Sequence, residues 1–235
     1  MGGSGSQKRK NSPVGSKIAV CAATEMELQP VITGLDPGDR QRITPFLCGI
    51  GPARAAYNCC NFFHNQGKPD LLLMIGIGGS LQESGLSPED LVMAESECFA
   101  DLGRCSETGF SFITIGKSGG KGIQVREDFT LSHAVDLVPY GLMRELNIKV
   151  APFGTVSCVS DSFHRASAIR KAFEIDVENM EGAGAAMVCQ DMGINFMEFR
   201  AISNIAGEKE RSRWFVKEAI NVLANRIPRL ISAGL

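Results

Sequence analysis

The sequence predicts an α/β fold: one domain in three layers, α/β/α, around a mixed, mostly parallel central sheet. Three observations predict it. Strand-patterned and helix-patterned segments alternate from residue 17 to the C-terminus, as they do when helices cover both faces of a sheet. Leu71–Ile77 is apolar throughout and is closed by Gly78-Gly79-Ser80, so it reads as a parallel strand buried on both faces. No internal repeat and no shift in composition divides residues 17–235. Residues 1–16 (MGGSGSQKRKNSPVGS) are rich in Gly, Ser, Lys and Arg without apolar period, and are expected to form a flexible tail.

The elements follow in order. Lys17–Ala23 reads as a strand, with Thr24 as the N-cap of a helix that begins at Glu25. Arg42–Cys48 is a strand, and Pro52 opens a helix in the favoured first turn. After the apolar strand at 71–77, Leu91–Phe99 and Phe110–Ile115 read as strands. Phe129–Leu146 is mostly helical, with a break at Pro139 and Gly141. Lys149–Val159 is a strand and Phe163–Phe173 a helix. Ile175–Val177 is a short strand, and the Gly/Ala-rich segment Glu181–Met192 a helix. Phe196–Ile202 carries its two charges at alternate positions among β-formers, and reads as a strand. The last helix starts near Arg213 and should stop or kink at Ile227, because Pro228 follows.

Composition narrows the function. Of 235 residues, 44% are hydrophobic and 21% charged, with a net charge of −2, which suits a chain with a sizeable core. Outside the first ten residues no Lys/Arg block points to nucleic acid or a membrane surface. No apolar run is long enough to span a bilayer and no signal-peptide core stands near the N-terminus, so a cytoplasmic protein is expected. The eight cysteines form no C-x-x-C pair and mostly lie in apolar runs, which reads as small buried hydrophobes in a reducing compartment. His64, His133 and His164 are scattered. No metal site and no cofactor is expected.

Three polar groups stand at strand ends: Glu27, Glu181 and Asn204. Taken singly, each has a plain explanation. Glu27 and Glu181 suit a helix first turn, and Asn204 suits a turn. Taken together at the carboxyl edge of a parallel sheet, they stand where such sheets bind ligands. A carboxylate accepts two hydrogen bonds from a diol, and an amide can read the edge of a base. Two Gly-rich turns, Gly49–Pro52 and Gly76–Ser80, adjoin them and would let backbone N–H groups approach a ligand. Neither matches a dinucleotide fingerprint or a P-loop.

Across I-A-V-C-A-A-T-E-M-E (18–27), G-I-G-P-A-R-A-A (49–56), I-G-I-G-G (75–79), S-D-S-F (160–163), M-E-G-A (180–183) and R-A-I-S-N (200–204), the chain resembles the purine nucleoside phosphorylase/nucleosidase superfamily. Within it the chain looks most like the futalosine hydrolases, nucleosidases of menaquinone biosynthesis. It is more distantly similar to the methylthioadenosine/S-adenosylhomocysteine nucleosidases. The resemblance implies a nucleoside phosphorylase-like fold, a small-molecule purine nucleoside as substrate and a homodimer or higher homo-oligomer. It implies that Glu27 activates the attacking water and that Glu181 grips the ribose 2′- and 3′-hydroxyls with Met180 against the sugar. It places Phe163 on the base, Asn204 near N7 and Trp214 at the closed end of the base pocket. Ile50, Ile77 and Gly78, from the Gly-rich turns, come to the substrate with them.

Those roles agree with the chemistry. Breaking an N-glycosidic bond builds positive charge on the ribose and negative charge on the departing base. Two carboxylates stabilise the first, and one of them can take the proton of water. The resemblance implies an Asp at position 204 in adenine-specific relatives, whereas an amide offers donors that suit the N7 and O6 acceptors of hypoxanthine. Ile77 stands where related enzymes often carry Ser or Thr, and offers no hydrogen bond to phosphate. Arg54 reads equally as a helix surface residue. Hydrolysis of futalosine to release hypoxanthine is the leading expectation. A phosphorylase, a methylthioadenosine-type nucleosidase and a non-catalytic nucleoside-binding protein are the alternatives.

Overall fold

A computed structural model describes residues 17–106, 109–111, 114–115, 123–124 and 127–235. The tail expected over residues 1–16 lies outside the described residues, as do positions 112–113 of the strand expected at 110–115.

In chain order the elements are β1 (Ile18–Ala22), α1 (Glu25–Gly34), α2 (Pro37–Arg42), β2 (Ile43–Leu47), α3 (Pro52–Gln66), β3 (Leu71–Ser80) and β4 (Leu91–Cys98). Then come the short strands β5 (Arg104–Ser106), β6 (Gly109–Ser111), β7 (Thr114–Ile115), β8 (Ile123–Gln124) and β9 (Asp128–Thr130). They are followed by α4 (Ser132–Val135), α5 (Tyr140–Glu145), β10 (Ile148–Thr155), α6 (Phe163–Phe173), β11 (Val177–Asn179), α7 (Gly182–Met192), β12 (Asn195–Ile205) and α8 (Val216–Ser232).

Among the described residues the main sheet runs β11-β10-β4-β12-β3-β1-β2, with β9 beside β4. β1 is parallel to β2 and β3, β12 to β3, and β10 to β4 and β11. β12 meets β4 antiparallel, so the sheet is mixed and mostly parallel as expected. The far strand β11 also pairs antiparallel with the end of β3. Strands β3, β12, β4, β10 and β11 therefore close into a ring.

Strand alternation divides the core into layers. Ile18, Val20, Leu71, Leu73, Leu91 and Met93 pack with Val31 of α1 and Leu223 of α8 on one face. Ala19, Cys21, Leu72, Met74 and Val92 pack with Cys59 of α3 and Ala186 of α7 on the other. Both faces are covered, which is why 71–77 reads as an unbroken apolar run. Cys21, Cys48, Cys59, Cys98 and Cys189 are buried as expected, whereas Cys60 and Cys158 are exposed.

The structure corrects several expected boundaries. β3 runs on through Gly78, Gly79 and Ser80 because β12 and β11 both bond to that stretch. Phe129 lies in β9 rather than in a helix, while the break expected at Pro139 is present, between the short helices α4 and α5. The strand expected to reach Val159 ends at Thr155. α8 does not stop at Ile227 but passes through Pro228 to Ser232. Proline there removes one helical N–H. Gly34 of α1 lies close against this turn: a Cβ on it would stand 3.1 Å from Pro228 Cγ and 3.2 Å from the Ala224 carbonyl oxygen.

Candidate active site

The carboxyl ends of β1, β3, β11 and β12, with the turns after β2 and β10, surround a cavity of about 230 Å³. Its lining includes Glu27, Ile50, Ile77, Gly78, Met180, Glu181, Asn204 and Trp214. Eight of the nine residues singled out in the sequence are thus brought to one cleft. The ninth, Phe163, is not in the lining. It is the first residue of α6, one position past the Ser162 N-cap, and is 41% exposed. The preceding turn carries Val159 and Ser160 to the wall instead. Arg54 is exposed and lines a neighbouring depression with Tyr57 and Ser157.

One end of the cleft is acidic. Glu27 sits in the first turn of α1, where its Oε2 accepts from the Thr24 N–H at 3.1 Å and the Thr24 hydroxyl at 2.7 Å. This is half of a capping box. Its Oε1 accepts from the Ile77 N–H at 3.0 Å. Glu181 is the N-cap residue of α7. Its Oε1 accepts from the Gly51 N–H at 3.2 Å and its Oε2 from Arg200 Nη1 at 3.1 Å. Gly76 makes room between them. A Cβ there would stand 2.5 Å from Arg200 Nη1 and 3.1 Å from Glu27 Oε1.

Arg200 is the hub beneath that end, and its side chain is only 2% exposed. Nε donates to Glu198 at 2.8 Å and Nη2 to Asn179 Oδ1 at 3.3 Å. Burial opposes its positive charge, but the carboxylates of Glu198, Glu181 and Glu27 outweigh it and hold the guanidinium more firmly protonated than usual. Asn179 Oδ1 also accepts from the N–H groups of Glu181 at 2.9 Å and Gly182 at 2.8 Å, which fixes the start of α7. Asn179 Nδ2 donates to Glu97 at 2.7 Å.

Glu97 and Glu198 are both fully buried. A Cβ on Gly182 would lie 2.3 Å from Glu97 Oε2 and 2.4 Å from Glu198 Oε2, so α7 must begin with glycine to let the two carboxyls converge. Among the described residues no protein donor reaches Glu198 Oε2. Burial, then the charge of Glu198, drives the Glu97 carboxyl well above the usual carboxylate range. Burial raises Glu198 as well, against the pull of Arg200. A proton kept on Glu97 turns their contact from repulsion into a hydrogen bond.

The other end presents an amide, a hydroxyl and an apolar wall, with the Glu178 carboxyl beside them. Ser203 Oγ lies 2.7 Å from Asn204 Oδ1 and 3.2 Å from the Gly78 carbonyl. Asn204 Nδ2 donates to the Ile205 carbonyl at 3.2 Å. One amide hydrogen is therefore engaged and one remains for a ligand. The Trp214 indole N–H is spent on the Glu208 carbonyl at 3.0 Å, so the ring supplies an apolar wall.

Sequence reasoning passed over Glu97, Asn179, Glu198 and Arg200. A signal existed for two of them. Glu198 and Arg200 are two apart, hence on one face of β12, whose residues between its exposed ends Asn195 and Ile205 are all buried.

Comparison with known proteins sharpens this chemistry. The family described as the Phosphorylase superfamily matches residues 11–235. A futalosine hydrolase of Thermus thermophilus is 30% identical over 78% of this chain and 79% of its own length. One from Streptomyces coelicolor is 31% identical over 77% and 75%. A 5′-methylthioadenosine/S-adenosylhomocysteine nucleosidase of Marinomonas sp. is 28% identical over 80% and 78%. Among solved structures, the futalosine hydrolase of Helicobacter pylori superposes with a TM-score of 0.75 at 20% identity, covering 94% of this chain and 99% of that one. The methylthioadenosine nucleosidase of the same organism, with 5′-methylthioadenosine in its active site, gives 0.76 at 21% identity over 94% and 100%. The three-layer architecture is thus that of the nucleosidases, and the chain belongs to the Phosphorylase superfamily as an N-glycosyl hydrolase of the nucleosidase kind.

Proposed function

We propose that this chain hydrolyses the N-glycosidic bond of futalosine and releases hypoxanthine, as a step of menaquinone biosynthesis. The observation that carries the reading is the polarity of the cleft: Glu27 and Glu181 at one end, Asn204 at the other. Gly76 and Gly79 mark those ends on β3. At about 3.3 Å per residue they stand roughly 10 Å apart, a span that accommodates a purine and its glycosidic carbon.

In this reading Glu181 accepts from the ribose 2′- and 3′-hydroxyls with the lone pairs that Gly51 and Arg200 leave open. Glu27, held by Thr24 and Ile77, orients water and takes its proton as the C–N bond lengthens. The negative charge of both offsets the positive charge growing on the sugar. The free Asn204 hydrogen meets the base at N7, where the leaving electron pair accumulates. Met180 covers the sugar and Trp214 walls the base. Water rather than phosphate is the nucleophile, because the cleft lining contains no Lys or Arg among the described residues and Ile77 presents no hydroxyl.

The Marinomonas relative favours a second reading, in which adenine leaves from a 5′-thio nucleoside. One experiment separates these. The purified protein is supplied with futalosine, inosine or methylthioadenosine, each with and without phosphate, and the products are resolved. Hypoxanthine and free sugar from futalosine at equal rates in both buffers are expected. Adenine release alone would install the second reading, and a sugar 1-phosphate would install phosphorolysis.

A further inference from the structure

We propose that Glu178 is a specificity-determining residue that accepts the N1–H of a 6-oxopurine, so that the base edge is read from two sides. The inference rests on the reading of the substrate as a 6-oxopurine nucleoside. Its basis is a carboxyl group that the chemistry described so far leaves unused. Glu178 is 5% exposed, yet it lines the same cavity as Glu27 and Glu181. It lies away from the acidic end. β11 places Glu178 opposite Gly79 of β3, and β12 places Asn204 opposite the same Gly79 from the other side. A carboxyl and an amide thus flank one glycine at the base end.

The carboxyl is positioned rather than loose. Its Oε1 accepts from the Ser160 N–H at 2.8 Å and its Oε2 from the Ser160 hydroxyl at 2.6 Å. Each oxygen keeps a second lone pair. Ser160 belongs to the turn that takes the wall position which Phe163 was expected to hold.

Counting donors and acceptors gives this group its task. With one amide hydrogen spent on Ile205, Asn204 offers a single donor to the base. That donor suits N7, which is an acceptor in hypoxanthine and adenine alike, so Asn204 alone separates the two bases poorly. Glu178 and Asn204 stand two strand spacings apart, roughly 10 Å between backbones. Their side chains therefore address the two ends of the base edge rather than adjacent atoms. With Asn204 at N7, the far end is N1. Hypoxanthine carries a hydrogen there and a carboxylate accepts it. Adenine carries a lone pair there and the carboxylate repels it. A buried site built to pair with one pattern rejects the other strongly.

The test compares nucleosides that share a 5′ group and differ only in the base. Wild type is expected to favour hypoxanthine release, and E178Q to raise the adenine-to-hypoxanthine ratio of kcat/KM at least tenfold, since an amide can donate to adenine N1. In wild type, 1-methylhypoxanthine should inhibit at least tenfold more weakly than hypoxanthine, and E178A should erase that difference by removing both the acceptor and the obstruction. The wild-type inhibition pair needs no variant, and equal inhibition by the two bases would overturn the proposal even if the variants fold poorly. Unchanged base ratios in folded E178Q and E178A would also overturn it, while leaving the futalosine reading intact. A wild-type preference for adenine would instead remove that reading, and this inference with it.

Discussion

The Glu181 carboxylate is shared between the protein and the proposed substrate. One oxygen is tied to Gly51 and the other to Arg200, so half its accepting capacity already orients it. Replacing it with Gln keeps an acceptor for Gly51 but puts an amide where Arg200 and the ribosyl cation both need negative charge. E181Q should lower kcat by about 10²–10³-fold, as for loss of one preorganised electrostatic group, and should also lower the unfolding temperature, because it removes one partner of the buried Arg200. Steady-state kinetics with futalosine check this, and a rate within a few-fold of wild type would remove Glu181 from the chemistry. Glu27, Glu181 and Asn204 were legible in the sequence because each stands beside a signal that ends a strand or starts a helix. Arg200 was not. It lies mid-strand, where a charge ordinarily marks the solvent face, and only the three-dimensional convergence of Glu27, Glu181 and Glu198 shows that it is enclosed.

At the scale of elements, α7 and β12 carry the site between them. Alternation in Phe196–Ile202 correctly implied a strand, but the charged face points into the protein toward the start of α7 rather than to water. α3, α6 and the start of α1 follow their sequence signals closely because local caps set them: Pro52, Ser162 and Thr24. α8 does not: it runs on through Pro228, where it packs against Gly34, nearly two hundred residues earlier in the chain. The Gly-rich opening of α7 has a steric cause that no local rule contains. G182A should destabilise the protein by roughly 1–3 kcal/mol, the usual cost of overpacking a core, because the added methyl meets two carboxyl groups. Activity should fall further than stability, since Glu181 precedes Gly182 directly. Chemical denaturation alongside kinetics tests this, and an unchanged unfolding midpoint would show that the carboxyls part at no cost.

For the whole molecule, the buried acids leave a signature in how stability depends on pH. Glu97, Glu198 and Glu178 all have carboxyls raised by burial. A group raised in the folded state binds its proton more tightly there than in the unfolded chain. Its stabilising contribution is complete below the unfolded value, about 4.3 for Glu, and is lost as pH rises through the folded value. The melting temperature should therefore decline as pH increases above the ordinary carboxylate range. E97Q, which is neutral at every pH and keeps an amide to pair with Glu198, should flatten that decline. Thermal melts across a pH series decide it, and identical slopes for E97Q and wild type would place the proton elsewhere. The mixed sheet around this cluster was legible from strand order and apolar runs. The ring closed by β11 on β3 was not, because β11 has only three residues and its second partner lies about a hundred positions away.

One contact couples chemistry to order. The Glu27 oxygen that holds the Thr24 N–H and hydroxyl belongs to the group that would accept a proton from water. Each time that proton arrives, the carboxyl is a weaker acceptor for Thr24, and the first turn of α1 is held less firmly. The part of the cleft wall formed by Thr24 and Met26 would then loosen when the bond has been cut and tighten again once the proton leaves. In such a molecule the release signal would sit in the same atoms that take the proton.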